Sequence, residues 1–451
     1  MRRLGAAILF VTLAGCTAAG GHHGREHVAG GVEWRTGFRI AAGNEAVHPV
    51  VPIGVAIDDG VSEDEAVMLA LWNNEAFNEA LADLGFTRAE VIQAGLLTNP
   101  TFSVLFPIGH KQLEFTTTLP LEALWLRPRR VAVAKADSER VAERLVQNGL
   151  DVVRDVRLAF ADVTRLTQRS QLATEAAQLH GRIAELADAR VRAGDASALE
   201  ISAARIEAQR AREESARQNQ ELVLARERLR ALLGLVFSEA DFQFEGSPEA
   251  PCVDLNVRVL VSDALAARPD VRAAEITVDA ACGRAGLAQL EYLSVAGVID
   301  ANGDGEKGFE AGPGLLLTLP IFHRNDGGIA RAEADIERSM SHLDTVRSRV
   351  ALEVREAHAR YAQAREQVAI WREQILPPAD EALRQAEMAF ANGDAPLLIV
   401  LETTRQLLDA RARTVEAEAN LRRAWAELER SAGQRLSGEP GPSLSPSESS
   451  P

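Results

Sequence analysis

Two kinds of periodicity alternate along this chain, and the alternation occurs twice. Over residues 101–106, Phe102, Val104 and Phe106 fall on one side. Over residues 112–121, Leu113, Phe115, Leu119 and Leu121 oppose Gln112, Glu114, Thr116 and Thr118. Period two predicts strands with one apolar and one polar face. The pattern returns over about 290–299 and 310–321, where Leu315, Leu317, Leu319 and Ile321 alternate with Gly314, Leu316 and Thr318. A moderate helical pattern precedes each strand pair, at 62 to about 95 and at 261 to about 288. Very long ones follow, over 129–193 and 326–392, and each returns through a partner helix, 197–233 and 396–432. At about 1.5 Å per residue each long helix would reach on the order of 100 Å. Pro377 and Pro378 should kink the second.

The punctuation repeats with the pattern. Leu119-Pro120-Leu121 is answered by Leu319-Pro320-Ile321, and Arg192-Ala193-Gly194-Asp195 by Ala391-Asn392-Gly393-Asp394, at offsets of 200 and 199. Ala94-Gly95-Leu96 is answered by Ala285-Gly286-Leu287 at 191, so the second copy has a longer loop. One duplicated unit explains this: helix, strand hairpin, long helical hairpin. The Gly-Asp breaks suit helix–helix turns, with glycine as a left-handed cap, Asp or Ser as the next N-cap, and Pro396 in a first turn. The layout is a first repeat at 62–233, an equatorial connector at 234–260, a second repeat at 261–436 and a disordered tail at 437–451. Four short strands cannot close a barrel, and unpaired strand edges cannot sit in lipid, so several chains must supply the strands together; three would supply twelve.

Composition agrees. The 451 residues are 46% apolar and 5% aromatic, with three Lys among 49 basic residues, a long-helix composition. A formal charge of −16 argues against a nucleic-acid binder. Three cysteines exclude a disulfide-stapled miniprotein. No apolar run reaches the length of a spanning helix, so any crossing is made by strands. Neither a Gly-rich phosphate loop nor a hydrolase or zinc-protease motif occurs, so an enzyme is not expected.

Residues 1–15 read as an export signal, with Arg2 and Arg3 as its positive end and an apolar stretch from Ala6 to Ala14. Leu13-Ala14-Gly15-Cys16 resembles the lipobox of bacterial lipoproteins, which implies a lipid (palmitate) on Cys16 and no other cofactor. Thr17, rather than Asp, after Cys16 favours sorting to the outer membrane. Residues 16–61 read as an extended tether. His22, His23 and His27 raise a metal reading, but only Glu26 joins them, and a solvated linker is preferred.

The ordered, duplicated set of motifs resembles the TolC-type family of outer-membrane efflux channels, in particular the lipoproteins of tripartite pumps of the resistance-nodulation-division (RND) type. The resemblance rests on Ala94-Gly95-Leu96-Leu97-Thr98-Asn99-Pro100-Thr101, Ala267-Arg268-Pro269-Asp270-Val271-Arg272-Ala273-Ala274, Gly312-Pro313-Gly314 through Asn325, and the stretch from Gly327 to Ala334. It implies a mainly α fold with a small membrane β-barrel: a homotrimer with a twelve-stranded barrel and a periplasmic helical tunnel. It also implies a periplasmic adaptor protein and an inner-membrane RND-type pump as partners, outer-membrane lipid around the barrel, and export of drugs or metal ions. The rival is a lipid-anchored periplasmic coiled-coil scaffold or adaptor. In a channel Phe102, Val104, Phe106, Leu113, Phe115 and Leu119 face lipid; in a scaffold they are buried against protein.

Carried over by position, the hairpin tips at 192–200 and 392–402 would form the periplasmic gate and adaptor contact. Their candidates are Gly194, Asp195, Glu200, Gly393, Asp394 and Glu402. Glu402 falls where relatives with an acidic aperture ring carry an acid, whereas Ile399 stands where another would fall. The acids suit a cation-attracting constriction, although Asp195 and Asp394 equally suit plain turn residues. Residues 397–401 form an apolar run, either tip core or gate. The loop 300–305 matches the first half of a calcium-binding loop, but Ala311 replaces the twelfth-position Glu, so an outer loop is preferred. Cys252 and Cys282 are left as either a disulfide or two buried free thiols.

Overall fold

The computed structural model describes residues 24–41, 50–52, 55, 60–106, 108, 111–194, 197–238, 244–246, 250–304, 308–392 and 394–436. The export signal, Cys16, His22, His23, Asp195, Gly393 and the tail lie outside the described residues.

The duplicated unit is plain in the element order. The first copy comprises α2 (Glu63–Asn73), α3 (Glu75–Leu81), α4 (Asp83–Gly95), β1 (Thr101–Leu105), β2 (Lys111–Pro120), α5 (Ala123–Ala193) and α6 (Ala198–Leu232). The second comprises α7 (Val257–Ala267), α8 (Pro269–Ala288), β3 (Val295–Asp304), β4 (Gly308–Leu317), α9 (Asp326–Ala369), α10 (Leu376–Ala391) and α11 (Leu397–Ala432). Each moderate helix is broken where local chemistry demands it. Asn74 caps α3 by accepting from Phe77 N, and the extended Arg268 precedes Pro269, which disfavours helix at the residue before it. The capping box of Ser62 and Glu65 opens α2.

The four strands form one antiparallel sheet in the order β1-β2-β3-β4, so the two hairpins join side by side through β2 and β3. β3 starts five residues later than its alternation suggests, because residues 290–294 close off α8, and β4 ends at Leu317, before Pro320. The stretch 300–304 belongs to β3, not to an outer loop.

The long helix α5 has 71 residues and tolerates Pro128 in its second turn. The expected kink at Pro377-Pro378 takes the form of a π turn, Ile370–Ile375, between α9 and α10. Two prolines lack the N–H groups that would close the preceding turns, and a wider turn absorbs the fault without ending the helix.

Part of the expected tether is a helix, α1 (Arg25–Thr36), seated on α5 with Val28, Ala29 and Val32 buried. Two glycines allow the close crossing: a Cβ at Gly149 would lie 2.7 Å from Val32 Cγ2, and one at Gly31 equally close to Val146 Cγ2. His27 is held there too, its Nε2 3.3 Å from Glu143 Oε1.

The two largest apolar clusters sit beside the middle of the molecule. One joins α1, α2 and α3 to α5 and α6; the other joins α7, α8, α9 and α11. Arg268 ties the second together from inside. Its side chain is 1% exposed, and it donates to Asp270 at 2.6 Å, to Glu353 at 2.7 Å and to the Ser431 carbonyl at 3.1 Å. Glu353 also accepts from Arg430, which reaches Asp151 of the first repeat at 2.8 Å.

Cys252 and Cys282 are both free and exposed. Cys252 follows Pro251, whose carbonyl accepts from Tyr361 on α9, whereas Arg284, two residues past Cys282, pairs with Asp335 on the same helix. From Asp335 to Tyr361 is about 39 Å of helix at 1.5 Å per residue, far beyond the span of a disulfide.

Arg268→Ala leaves Asp270 and Glu353 short of their buried partner and is expected to cost about 3–5 kcal/mol. The check is the thermal or urea midpoint of the detergent-extracted protein, against the surface variant Arg210→Ala, which should barely move it.

Candidate functional site

Two regions carry the candidate residues: the sheet, and the tips of the helical hairpins at the opposite end. In the sheet, register turns the sequence alternation into two faces. Val104 pairs with Phe115, Phe115 with Ala301 and Ala301 with Ala311, so these share a face with Phe102, Leu119, Ile299, Leu315 and Leu317. That face is uncovered: Phe102 is 64% exposed, Leu315 67%, and the Phe102 ring stacks 5.8 Å from that of Phe115. The opposite face carries Ser103, Glu114, Thr116, Thr118, Asp300, Asn302 and Glu310. Here Thr116 Oγ1 donates to Asp300 at 3.0 Å, as does Asn302 Nδ2 at 2.9 Å. This face also carries Leu105, opposite Glu114, and toward the helices it becomes apolar, with Val298 and Leu316. An uncovered apolar face backed by a polar one fits a wall between lipid and water, not a scaffold sheet buried on protein.

At the tips, Gly194 closes α5 with φ of 84°, its N–H donating back to the Val191 carbonyl at 3.1 Å. Ser197 Oγ then accepts from Glu200 N at 3.3 Å and opens α6. In the second tip Asp394 N donates to the Ala389 carbonyl at 2.8 Å, and Pro396 stands at the N-cap of α11, one position before the helix. The structure packs the hairpins together here. Ile183 and Ala187 of α5, Ala204 of α6 and Leu397 of α11 form a small cluster, with Phe390 and Leu401 against it. The Arg190 guanidinium lies 4.9 Å from the Phe390 ring centre, a cation–π contact. Asp188 binds Arg192 one turn along α5 at 3.1 Å and Arg205 across the first hairpin at 3.0 Å.

Glu200, Asp394 and Glu402 are all exposed and, among the described residues, make no ion pair; Glu402 Oε1 accepts from Gln406 at 3.1 Å. The apolar run divides: Leu397 and Val400 are buried, while Leu398 and Ile399 face outward. Arg190 and Phe390 escape inspection of either tip alone. Their offset is 200 residues, one more than the 199 of the tips, so near-equivalent positions of the two copies meet, and the repeat offset was the available signal.

Between α5, α6 and α11 runs a groove of about 440 Å³ lined by His180, Glu207, Gln218 and Leu408 among others. Burial pushes the His180 imidazole below its ordinary pKa, against the opposing pull of Glu207. Among the described residues its Nδ1 and the Oε1 of Gln218 have no hydrogen-bond partner.

The model of the Outer membrane efflux protein family matches residues 67–235 and 260–434. The cobalt-zinc-cadmium resistance protein CzcC of Cupriavidus metallidurans is 26% identical over 379 residues, covering 82% of this chain and 90% of that protein. Among solved structures, the outer-membrane channel OprN superposes with a TM-score of 0.71 at 18% identity, over 83% of this chain and 90% of its own. The outer membrane protein VceC of Vibrio cholerae gives 0.69 at 17% identity, over 82% and 96%.

Because the folded state holds His180 below its unfolded pKa, acidification favours states in which it is hydrated. Stability is therefore lost as pH falls through the ordinary histidine range near about 6.5. Thermal midpoints measured from about pH 7 down to about pH 5 should fall more steeply for the native protein than for His180→Gln. Parallel slopes would contradict this.

Proposed function

The chain belongs to the outer membrane efflux protein family, and from that premise we propose how it works. It is the outer-membrane channel of a tripartite efflux pump, and we read it as a passive conduit that performs no bond chemistry. Three copies would join edge to edge, β4 of one to β1 of the next, closing a twelve-stranded barrel whose apolar face meets lipid and whose polar face lines water. The observation that carries this reading is the sheet itself, with two free edges and two chemically opposite faces. Below it the helical hairpins would pack into a tunnel reaching into the periplasm. A lipid on Cys16 would fasten the N-terminus to the membrane.

The tips would form the closed periplasmic end and the contact for an adaptor protein. They are held by two small clusters, a cation–π contact and the Asp188–Arg205 ion pair, whereas large cores hold the middle. Separation is therefore easiest at the tips. Energy would come from the inner-membrane RND-type pump. For cargo we favour divalent metal cations: the relative CzcC is a cobalt-zinc-cadmium resistance protein. Unpaired carboxylates at Glu200, Asp394 and Glu402 would draw cations toward the aperture.

Detergent-extracted protein is expected to have the mass of a trimer and to give discrete, cation-preferring conductance steps in a planar bilayer. Glu402→Ala should lower the cation-to-anion permeability ratio several-fold. A monomer after extraction would overturn the shared barrel; an unchanged ratio would remove Glu402 from the aperture. Radiolabelled palmitate should enter the native chain and not Cys16→Ser.

A further inference from the structure

The helix-side ends of the four strands and the starts of α5 and α9 meet at one rim, and its composition departs from the rest of this acidic chain. On the first copy the rim reads Leu124-Trp125-Leu126-Arg127-Pro128-Arg129-Arg130; on the second, Ile321-Phe322-His323-Arg324. Its apolar members are uncovered: Leu124 is 62% exposed and Phe322 99%. They continue the uncovered face of the sheet. The arginines follow within two turns of Leu124 in α5, and Arg324 follows Phe322 by two residues, just before α9. Many arginines of the long helices find carboxylates, as Arg140 finds Asp137 and Arg165 finds Glu416, while others such as Arg144 and Arg169 stand singly among the described residues; what marks the rim is that four without a carboxylate fall at one level. Among the described residues Arg127, Arg129, Arg130 and Arg324 have no carboxylate partner. Two of them are instead aimed by helix ends. Arg127 Nε donates to the carbonyl of Gly95, the last residue of α4, at 2.6 Å, and Arg129 Nη1 to that of Gly286, near the end of α8, at 3.3 Å. Each bond uses one of the five N–H groups of a guanidinium and leaves the others to solvent.

We propose that this rim grips the headgroup phosphates of anionic phospholipids in the periplasm-facing leaflet and so sets the depth of the barrel. The sheet supplies the ruler. Its ten-residue strands, β3 and β4, span about 33 Å at 3.3 Å per residue, which a typical tilt reduces to about the 25 Å of an outer-membrane apolar band. When that band occupies the hydrocarbon, Trp125 and Phe322 stand at the interface and the arginines just below it, at the phosphates. Guanidinium groups pair with phosphate oxygens through parallel N–H donors, and aromatic residues favour the same depth. A net charge of −16 would otherwise repel an anionic surface, so a local cluster of unpaired cations at membrane level has a specific use. The proposal rests on the sheet being a barrel wall, and the trimer mass tests that separately.

The test uses the full-length trimer in detergent with phosphatidylglycerol as the probe and phosphatidylcholine as the neutral comparison. Retained lipid is counted by native mass spectrometry. Phosphatidylglycerol should be retained preferentially and raise the thermal midpoint, and raising salt from about 50 to about 500 mM should weaken retention, as screening requires. The triple variant Arg129→Gln/Arg130→Gln/Arg324→Gln should lose roughly five-fold in affinity per removed charge, while Arg210→Gln/Arg217→Gln on the exposed side of α6 should lose nothing. If the triple variant fails to form trimers, the corresponding lysine variant is used and should keep most of the preference. Equal retention of the two lipids by native protein would overturn the proposal. So would a triple variant that binds as well as native, or a midpoint that responds to inorganic phosphate but not to phosphatidylglycerol.

Discussion

A four-stranded sheet with two open edges is the constraint from which the rest of this structure follows. β1 and β4 each present a row of backbone N–H and C=O groups without partners among the described residues. In water such edges are tolerable; in hydrocarbon each unpaired group costs several kcal/mol. The apolar face that includes Phe102, Phe115 and Leu315 calls for hydrocarbon. These demands are compatible only when another copy completes the hydrogen-bond ladder at each edge. The chain is thus one sector of a larger object, and its exposed hydrophobic residues make sense only in that object.

The helices show the same logic in their charge. The seam between the repeats, where α11 lies along α5, is held by ion pairs: Arg157 with Glu429, Arg423 with Asp162, Arg165 with Glu416 and Arg430 with Asp151. Apolar packing gathers around the equatorial helices and thins toward the tips. A seam of polar contacts, partly exposed, can be rearranged at lower cost than a dry core. Apolar packing that thins from the equator toward the tips leaves the tips easier to open than the middle. The π turn before Pro377 lies between the equatorial core and the small cluster of Leu383, Ala386, Val400 and Leu407, so it divides the second hairpin into two separately packed lengths.

Much of this was legible because it depends on neighbours within a few residues. Period two marked the strands, the repeat offset marked the duplication, and Gly194 and Ser197 cap the first tip as their types require. What was misread depends on distant partners. Residues 25–36 are too short and too glycine-rich to announce a helix, yet α5 offers a groove at Gly149 that Val32 fills. The start of β3 lies in a stretch whose alternation is too weak to set a boundary. Cys252 and Cys282, left open between a disulfide and buried thiols, are free and exposed, held far apart by stiff helices.

By itself, then, the sequence determined the duplicated unit, its strands and long helices, the turns between them and the need for further copies, all consequences of local backbone preference and of which faces are apolar. Only the tertiary structure decided which residues of the two repeats meet: Arg190 with Phe390 at the tips, Arg268 with Glu353 at the centre, and Arg127 and Arg129 with the ends of α4 and α8 at the rim. A side chain's partner is set by how rigid elements pack over tens of ångströms, and no short window of sequence encodes that distance.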